Sequence, residues 1–354
     1  MCIRDRFIDF LSLDPRSYDP VMMLTVILMA FAENGYASLR RLEKLCRYDV
    51  RYRSITNGCV PRDVYKRQVF MSAALLSSSM LAVIVIFIAL KGITPFVGTD
   101  TYEAVNVFDF LFGNMWRKDQ GIYGVGFIII NTLISSFAAL LIAFPLAVLS
   151  ALFICKIAPK KLAAMMTSIV ELLAAVPSVV YGVFACGTIT VIVKELGAML
   201  GFATVGGASL LAVILLLAIM IFPTITSLSI TAINAVDTEM ELGSLALGAT
   251  KTQTNFKVVL ASAKSGIFAG AILGIGRAFG EATAVAMVAG NKMFGPTFHL
   301  FDTTRTLTTT MLSGLKETSG LDYDIRFSVG LVLMAVILLS NLILNYVKKR
   351  VGKL

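Results

Sequence analysis

The run Gly266 to Gly290, GIFAGAILGIGRAFGEATAVAMVAG, decides the fold of this chain. It is long enough to cross the ~30 Å hydrocarbon core of a bilayer as a helix. It is apolar except for Arg277 and Glu281, which a continuous helix would place one turn apart on one face. An unshielded charge at that depth costs about 2.5 to 3.5 kcal/mol on the insertion scale, so charges retained there serve a pathway or hold a partner. The rest of the chain agrees. Apolar residues make up 57% and charged residues 15%, and the mean hydropathy is +0.83, whereas a soluble domain carries about a quarter charged residues. The sequence is that of an integral membrane protein.

Six apolar stretches are expected to span: Val69 to Leu90, Phe127 to Ile154, Met166 to Val193, Ala208 to Ala232, Gly266 to Gly290 and Phe327 to Val347. Basic residues lie in the turn after the second span (Lys156, Lys160, Lys161), in the connection Ile233 to Ser265 (Lys251, Lys257, Lys264) and in the tail (Lys348, Lys349, Arg350, Lys353). The positive-inside rule therefore puts both termini of the six-span body in the cytoplasm. Pro177 and Pro223 are expected to kink the third and fourth spans, with hydroxyls such as Ser178 and Thr224 serving the freed carbonyls. Gly266, Gly270, Gly274, Gly276 and Gly280 recur at near-helical spacing and predict close helix packing. Trp116 and Tyr123 are expected at the membrane interface.

Residues 1–68 differ in character, holding 12 of the 31 basic and 8 of the 22 acidic residues. Two hexapeptides bound this region, MCIRDR at Met1 to Arg6 and DVYKRQ at Asp63 to Gln68. Both are translations of one DNA string, GATGTGTATAAGAGACAG, in two frames, and that string resembles a transposon end used to prepare sequencing libraries. Between them, Asp14 to Arg47 resembles a fragment of an insertion-sequence transposase. Residues 1–68 are accordingly read as a chimeric leader, and 69–354 as the membrane protein proper.

Several chemistries are excluded. The single histidine, His299, argues against histidine-based catalysis, and no GxxxxGK[ST] phosphate loop occurs, so any ATP that powers transport is bound by another subunit. Of five cysteines, Cys2, Cys46 and Cys59 fall in the leader, and Cys155 and Cys186 lie in or beside apolar spans; no metal-ligand spacing is present. The most informative polar segment is Asp237 to Ala263, DTEMELGSLALGATKTQTNFKVVLASA. Pattern alone reads it either as a solvated amphipathic loop or as a helix, a break at Gly248 and a second short helix over Thr252 to Leu260.

The run Glu241 to Thr250 (ELGSLALGAT), followed by Val258 to Leu260 and Gly266-Ile267, resembles the EAA loop of type-1 ABC importer permeases. Within that class, nearly all of Val69 to Leu354 resembles the PstC family of phosphate permeases. The motifs are FDFLFG at Phe108 to Gly113 with Trp116, ELLAAVPSVVYG at Glu171 to Gly182, GRAFGEA at Gly276 to Ala282, MVAGN at Met287 to Asn291 and RTLT at Arg305 to Thr308. The resemblance implies an all-α, six-transmembrane-helix permease of an ATP-driven phosphate importer in a bacterial or archaeal cell membrane. It places the transmembrane core at about 127–347 and the ATPase-coupling loop at 237–263. It further implies that Glu241, Ala246, Leu247, Gly248 and Ala249 meet the ATPase. The implied partners are a second permease, PstA, a dimer of the ATPase PstB carrying ATP and Mg, and an external phosphate-binding protein, PstS. No cofactor is expected on this chain, and neither enzymatic activity nor nucleic-acid binding.

The residues of the anion path follow from chemistry as well. Guanidinium offers phosphate a planar fork of donors that stays charged when partly dry, which suits Arg277. Glu281 is expected to pair with Arg277 in the absence of anion and to accept a hydrogen bond from protonated phosphate. A purely structural ion pair is the competing reading of the two. Thr283, Asn291 and Arg305 are expected along the same path. The rival functions are a sulfate or molybdate permease, the sister subunit PstA, and an ion-coupled carrier, which would have no use for an ATPase-docking loop. Resequencing of the locus by an adapter-free method is expected to interrupt the reading frame upstream of Val69; an unbroken frame from Met1 would make the leader genuine.

Overall fold

The computed structural model describes residues 63–98 and 102–351, with side chains over 71–98 and 102–350. Most of the proposed chimeric leader lies outside the described residues. The chain divides into two units, Met1–Val85 and Ile86–Leu354. The boundary falls within the first described helix, α1 (Asp63–Val97), whose described side chains before Ile86 are all exposed.

In the second unit the order of elements is α2 (Val107–Phe112), a two-stranded hairpin β1 (Trp116–Arg117) and β2 (Ile122–Tyr123), α3 (Gly126–Ile157), α4 (Lys160–Ala175), α5 (Ser178–Met199), α6 (Leu210–Asn234), α7 (Thr238–Ala246), α8 (Lys251–Gly280), α9 (Thr283–Val288), α10 (Leu307–Leu312) and α11 (Leu321–Val351). Six helices among the described residues are long and apolar enough to cross a membrane: α1 from Met71, α3, α5, α6, α8 and α11. Their number matches the sequence reading; their limits depart from it most in the third and fifth spans.

The third span does not run from Met166. Pro177 stands at the N-cap of α5, so the stretch splits into α4 and a separate spanning helix. Proline has no N–H to give and is favoured at a helix start, and Pro177 ends one helix and begins another where a kink was expected, whereas Pro223 stays inside α6. The short helix expected over Thr252 to Leu260 is the first part of α8, entered through a capping box between Thr250 and Gln253 and a single wide turn over Thr254–Val259. The fifth span ends at Gly280, and Glu281 leaves the helix with φ −74° and ψ 117°.

α6 is the hub. Two-thirds (67%) of its apolar window is buried, and it packs along α3 and α8. Its start is set by Ser209, whose Oγ accepts from the Ala212 N–H at 3.2 Å. The close approach of α8 depends on glycine. A Cβ at Gly266 would lie 2.5 Å from Ala232 Cβ, and one at Gly274 would lie 2.8 Å from Ile225 Cγ1. Gly276 and Gly280 face open space, so only part of the glycine stripe serves packing. At the hairpin end a second core gathers Phe110, Trp116, Tyr123, Leu307 and Ile325. Trp116 and Tyr123 are buried there, ring centroids 5.3 Å apart, and are not interfacial anchors.

Replacing Gly274 by Leu is expected to wedge α8 from α6 and cost about 1 to 3 kcal/mol, seen as a lower unfolding temperature of the assembled protein. Gly280→Ala, facing open space, should leave that temperature unchanged.

Candidate functional site

Arg277 and Glu281 do not form an ion pair. Because the backbone turns out of the helix at Gly280, the two side chains no longer share one helical face. Arg277 Nη1 donates to Thr224 Oγ1 of α6 at 3.0 Å. Glu281 Oε1 accepts from the Ala284 N–H and from Thr283 Oγ1, each at 3.0 Å. The carboxylate thus serves the otherwise unpartnered amides that open α9, while the guanidinium is left with a neutral partner. Neither Thr224 nor Ser178 attends to a proline's freed carbonyl as expected. Ser178 Oγ lies 3.2 Å from Thr283 Oγ1, which brings the start of α5 to the start of α9.

Thr283 therefore joins Glu281, and Thr308 joins them from α10: its Oγ1 donates to the Glu281 carbonyl at 2.8 Å. Thr308 Oγ1 is also 3.0 Å from Thr306 Oγ1. The sequence reading gave Ser178 and Thr224 a different task and assigned Thr306 and Thr308 no place in the site. A signal for the last two was present in the hydroxyl-rich run TTRTLTTT at 303–310. Arg277, Glu281, Thr283 and these hydroxyls, with the open faces of Gly276 and Gly280, form one polar locus at the end of α8.

Asn291 and Arg305 lie in the adjoining segment, not on Arg277. Gly290 and Asn291 both take left-handed backbone, with φ +79° and +52°. A Cβ at Gly290 would come 2.5 Å from Thr303 Cγ2, so only glycine admits the returning chain at this point. The motif at Met287 to Asn291 is thus a turn against which Thr304 docks, its N–H donating to the Ala289 carbonyl at 2.7 Å. The Asn291 Oδ1 is buried without a partner. Arg305 is 6% exposed and has its Cζ 5.9 Å from the centre of the Trp116 ring. Burial and the neighbouring Arg326 guanidinium lower its pKa to about 10, so it remains a cation at neutral pH. Beside this segment, Tyr123 donates its hydroxyl to Asp322, and burial plus that carboxylate hold the phenol well above its ordinary range.

At the opposite end of the bundle stands α7, capped by Asp237, whose Oδ1 accepts from the Glu239 N–H at 3.0 Å. The helix ends at Leu247, and Gly248 reverses the chain with φ +86°. Leu247 is 91% exposed, and α7 buries no side chain. Glu241 is paired with Lys156 at the end of α3, and Ser244 Oγ is 3.0 Å from Thr254 Oγ1. Beside α7 lies an open groove of about 380 Å³ lined by Ala232, Val236, Met240 and Gly266, among others. The knob is thus tethered by polar contacts at its edges. Among the sequence-predicted coupling residues, Ala246, Leu247 and Gly248 are exposed, Leu247 being the large apolar one, and Glu241 is half-buried against Lys156.

Residues 143–353 match the family described as "Binding-protein-dependent transport system inner membrane component". The chain is 34% identical over 292 residues to the "Probable ABC transporter permease protein YqgH" of Bacillus subtilis, covering 81% of this chain and 91% of that protein. It is 31% identical over 264 residues to the "Phosphate transport system permease protein PstC" of Pasteurella multocida, covering 70% and 82%. In fold it is similar to a chain of the bacterial alginate ABC transporter, with a TM-score of 0.56 at 20% identity, covering 81% and 96%. With six spanning helices and a match over more than half its length, the chain belongs to the family of binding-protein-dependent transport system inner membrane components, the multi-pass permeases of ABC importers.

Proposed function

We propose that the chain is a permease subunit of an ATP-driven importer of inorganic phosphate. It would line the translocation path with a second permease of the PstA kind, dock a PstB-like ATPase dimer that carries ATP and Mg, and receive phosphate from a PstS-like binding protein. The observation that carries this reading is the state of Arg277. A guanidinium within a spanning helix is held, among the described residues, by the Thr224 hydroxyl, and none of the described carboxylates is paired with it. Its donors are thus available to an anion, and an anion entering there does not have to displace an ion-paired glutamate. Relatives named as phosphate permeases favour phosphate over sulfate or molybdate.

Glu281 takes a different part from the one its spacing suggested. Oε1 is engaged by the Thr283 hydroxyl and the Ala284 amide, and a carboxylate has further lone pairs with which to accept from a protonated phosphate oxygen. Hydrogen phosphate bears such a proton and sulfate at neutral pH does not, so this acceptor favours phosphate beside Arg277. Thr283 and Thr308 hold the Glu281 turn in place. In this reading α7 faces the cytoplasm, both termini of the six-span body are cytoplasmic, and the hairpin end faces outward. Leu247 with Ala246, Gly248 and Ala249 meets the ATPase, while the Glu241–Lys156 pair fixes α7 to the end of α3.

In a transporter shown to assemble and to hydrolyse ATP, Arg277→Gln is expected to lower labelled-phosphate uptake by about a hundredfold, the ~3 kcal/mol of one charge-assisted contact. Excess arsenate should compete and excess sulfate or molybdate should not. Uptake of sulfate instead would keep the importer and replace the substrate. A second test addresses coupling. Lys156→Glu or Glu241→Lys alone is expected to reduce phosphate moved per ATP hydrolysed, and the double exchange to restore it, with a coupling energy of about 1 kcal/mol in the double-mutant cycle.

A further inference from the structure

Two arginines are buried at the hairpin end, and their surroundings differ. Arg326 is 2% exposed and well served. Its Nη1 donates to the Thr310 carbonyl at 2.8 Å and to the Ser313 carbonyl, and its Nε donates to the Asp322 carbonyl at 3.1 Å. Arg305 is 6% exposed, yet its Nε has no partner and no carboxylate among the described residues pairs with it. Among the described residues the contact that favours its charge is the Trp116 ring at 5.9 Å, near the ~6 Å limit of cation–π attraction. Such a contact returns less than it costs to take a cation out of water. Another guanidinium nearby makes the balance worse, and it already lowers the Arg305 pKa. A buried cation with this shortfall calls for an anion that the chain itself does not supply.

The unpartnered groups concentrate here. Of seven buried side-chain polar atoms without a hydrogen-bond partner, Asn131 Nδ2, Asn291 Oδ1, Thr304 Oγ1 and Arg305 Nε belong to this one knot of chain. It is tied by the Thr297 N–H donating to Asn131 Oδ1 at 2.7 Å, Thr297 Oγ1 donating to the Thr303 carbonyl at 3.0 Å, and the Lys292 N–H donating to the Thr304 carbonyl at 3.3 Å. Elsewhere in the described residues buried side-chain polar atoms are mostly partnered, as folding demands.

The geometry points to a second anion site, distinct from Arg277, in which the Arg305 guanidinium over Trp116 holds a small tetrahedral oxyanion. The fork of donors on guanidinium matches two oxygens of such an ion, and the near-complete burial of Arg305 favours a small ion over a protein carboxylate. From Arg305 the chain leads through Thr306 and Thr308 hydroxyls to the Glu281 carbonyl. The site is therefore a holding position before the Arg277 locus, on the side proposed to face outward. That the ion is phosphate rests on the phosphate-permease reading; the site itself does not.

Trp116 is the only tryptophan of the chain and reports on the site directly. The assembled transporter, in lipid nanodiscs and carrying Arg277→Gln to silence the inner position, is titrated with inorganic phosphate. Trp116 emission is taken as the difference from the same complex with Trp116→Phe. A saturable change is expected, abolished by Arg305→Met and shifted about tenfold weaker by Arg305→Lys, which keeps the charge but loses the fork. No saturable change with any oxyanion, or an unaltered titration in Arg305→Met, overturns the site. If Arg305→Met does not assemble, the lysine variant decides, and an unchanged midpoint there overturns it equally. Saturation by sulfate and not by phosphate would establish the Arg305 site while overturning the phosphate reading.

Discussion

The exit of the chain from α8 at Gly280 governs the polar centre of this protein. Had the helix continued, Arg277 and Glu281, both half-buried, would have met at i,i+4 spacing, and each charge would have neutralised the other. The turn at Glu281 prevents this and gives each group separate work. The carboxylate is drawn to the Ala284 amide and the Thr283 hydroxyl, so that α9 begins on a satisfied cap. The guanidinium is left against a neutral hydroxyl of α6. A membrane permease gains from that separation: a self-neutralised pair presents little field to an anion, whereas a cation held by hydroxyls presents most of its own.

The same logic extends along the segment that follows. The left-handed turn at Gly290 and Asn291 brings residues 303 and 304 close against residues 289 and 290. This places Arg305 over Trp116 and sets the Thr306 capping box that opens α10. Motifs that in the sequence looked like separate marks of a family are parts of one fold here. Gly113 approaches Gly124 where α2 meets the chain leaving the hairpin, and Trp116 gives the floor under Arg305. The arrangement concentrates positive charge with few carboxylates near it, apart from Asp322 and Asp324, whose oxygens engage Tyr123, Lys91 and Tyr102.

Much of the fold was legible because the membrane imposes a simple rule: long apolar runs with internal hydrogen bonding. Six such runs were visible, and four of the six helices, those containing Val69 to Leu90, Phe127 to Ile154, Ala208 to Ala232 and Phe327 to Val347, follow them closely. What failed were the interruptions. Pro177 and Gly280 were both in view, but whether a proline kinks a helix or starts a new one, and whether a glycine continues it, depends on partners distant in sequence. Ser178 finds Thr283 across 105 positions, and Lys156 finds Glu241 across 85. Hydropathy carries no record of either meeting. Of the candidate residues, Arg277, Glu281 and Thr283 lie together at the end of α8 while Asn291 and Arg305 lie in the adjoining segment, and the Arg277–Glu281 pairing assigned from helical spacing was lost with the helix.

One consequence of the geometry concerns how an event at α7 reaches Arg277. α8 holds 30 residues between Lys251 and Gly280, roughly 45 Å at 1.5 Å per residue. Its first turns touch α7 through the Ser244–Thr254 contact, and its last turn carries Arg277. α7 itself buries no side chain, so little packing resists its displacement. α8, in contrast, packs so closely on α6 at Gly266, Gly270 and Gly274 that a Cβ at any of them would press on Ala232, Leu228 or Ile225. Tilting of α8 alone would break that packing, so in the proposed coupling α6 and α8 move as one body. Arg277 and its Thr224 partner would then travel together, keeping their hydrogen bond, while Glu281, tied through Thr283 to Ser178 and through its carbonyl to Thr308, stays with α5 and α10. The distance that such a motion changes is the one between the guanidinium and the carboxylate, and the break at Gly280 is the joint that allows it.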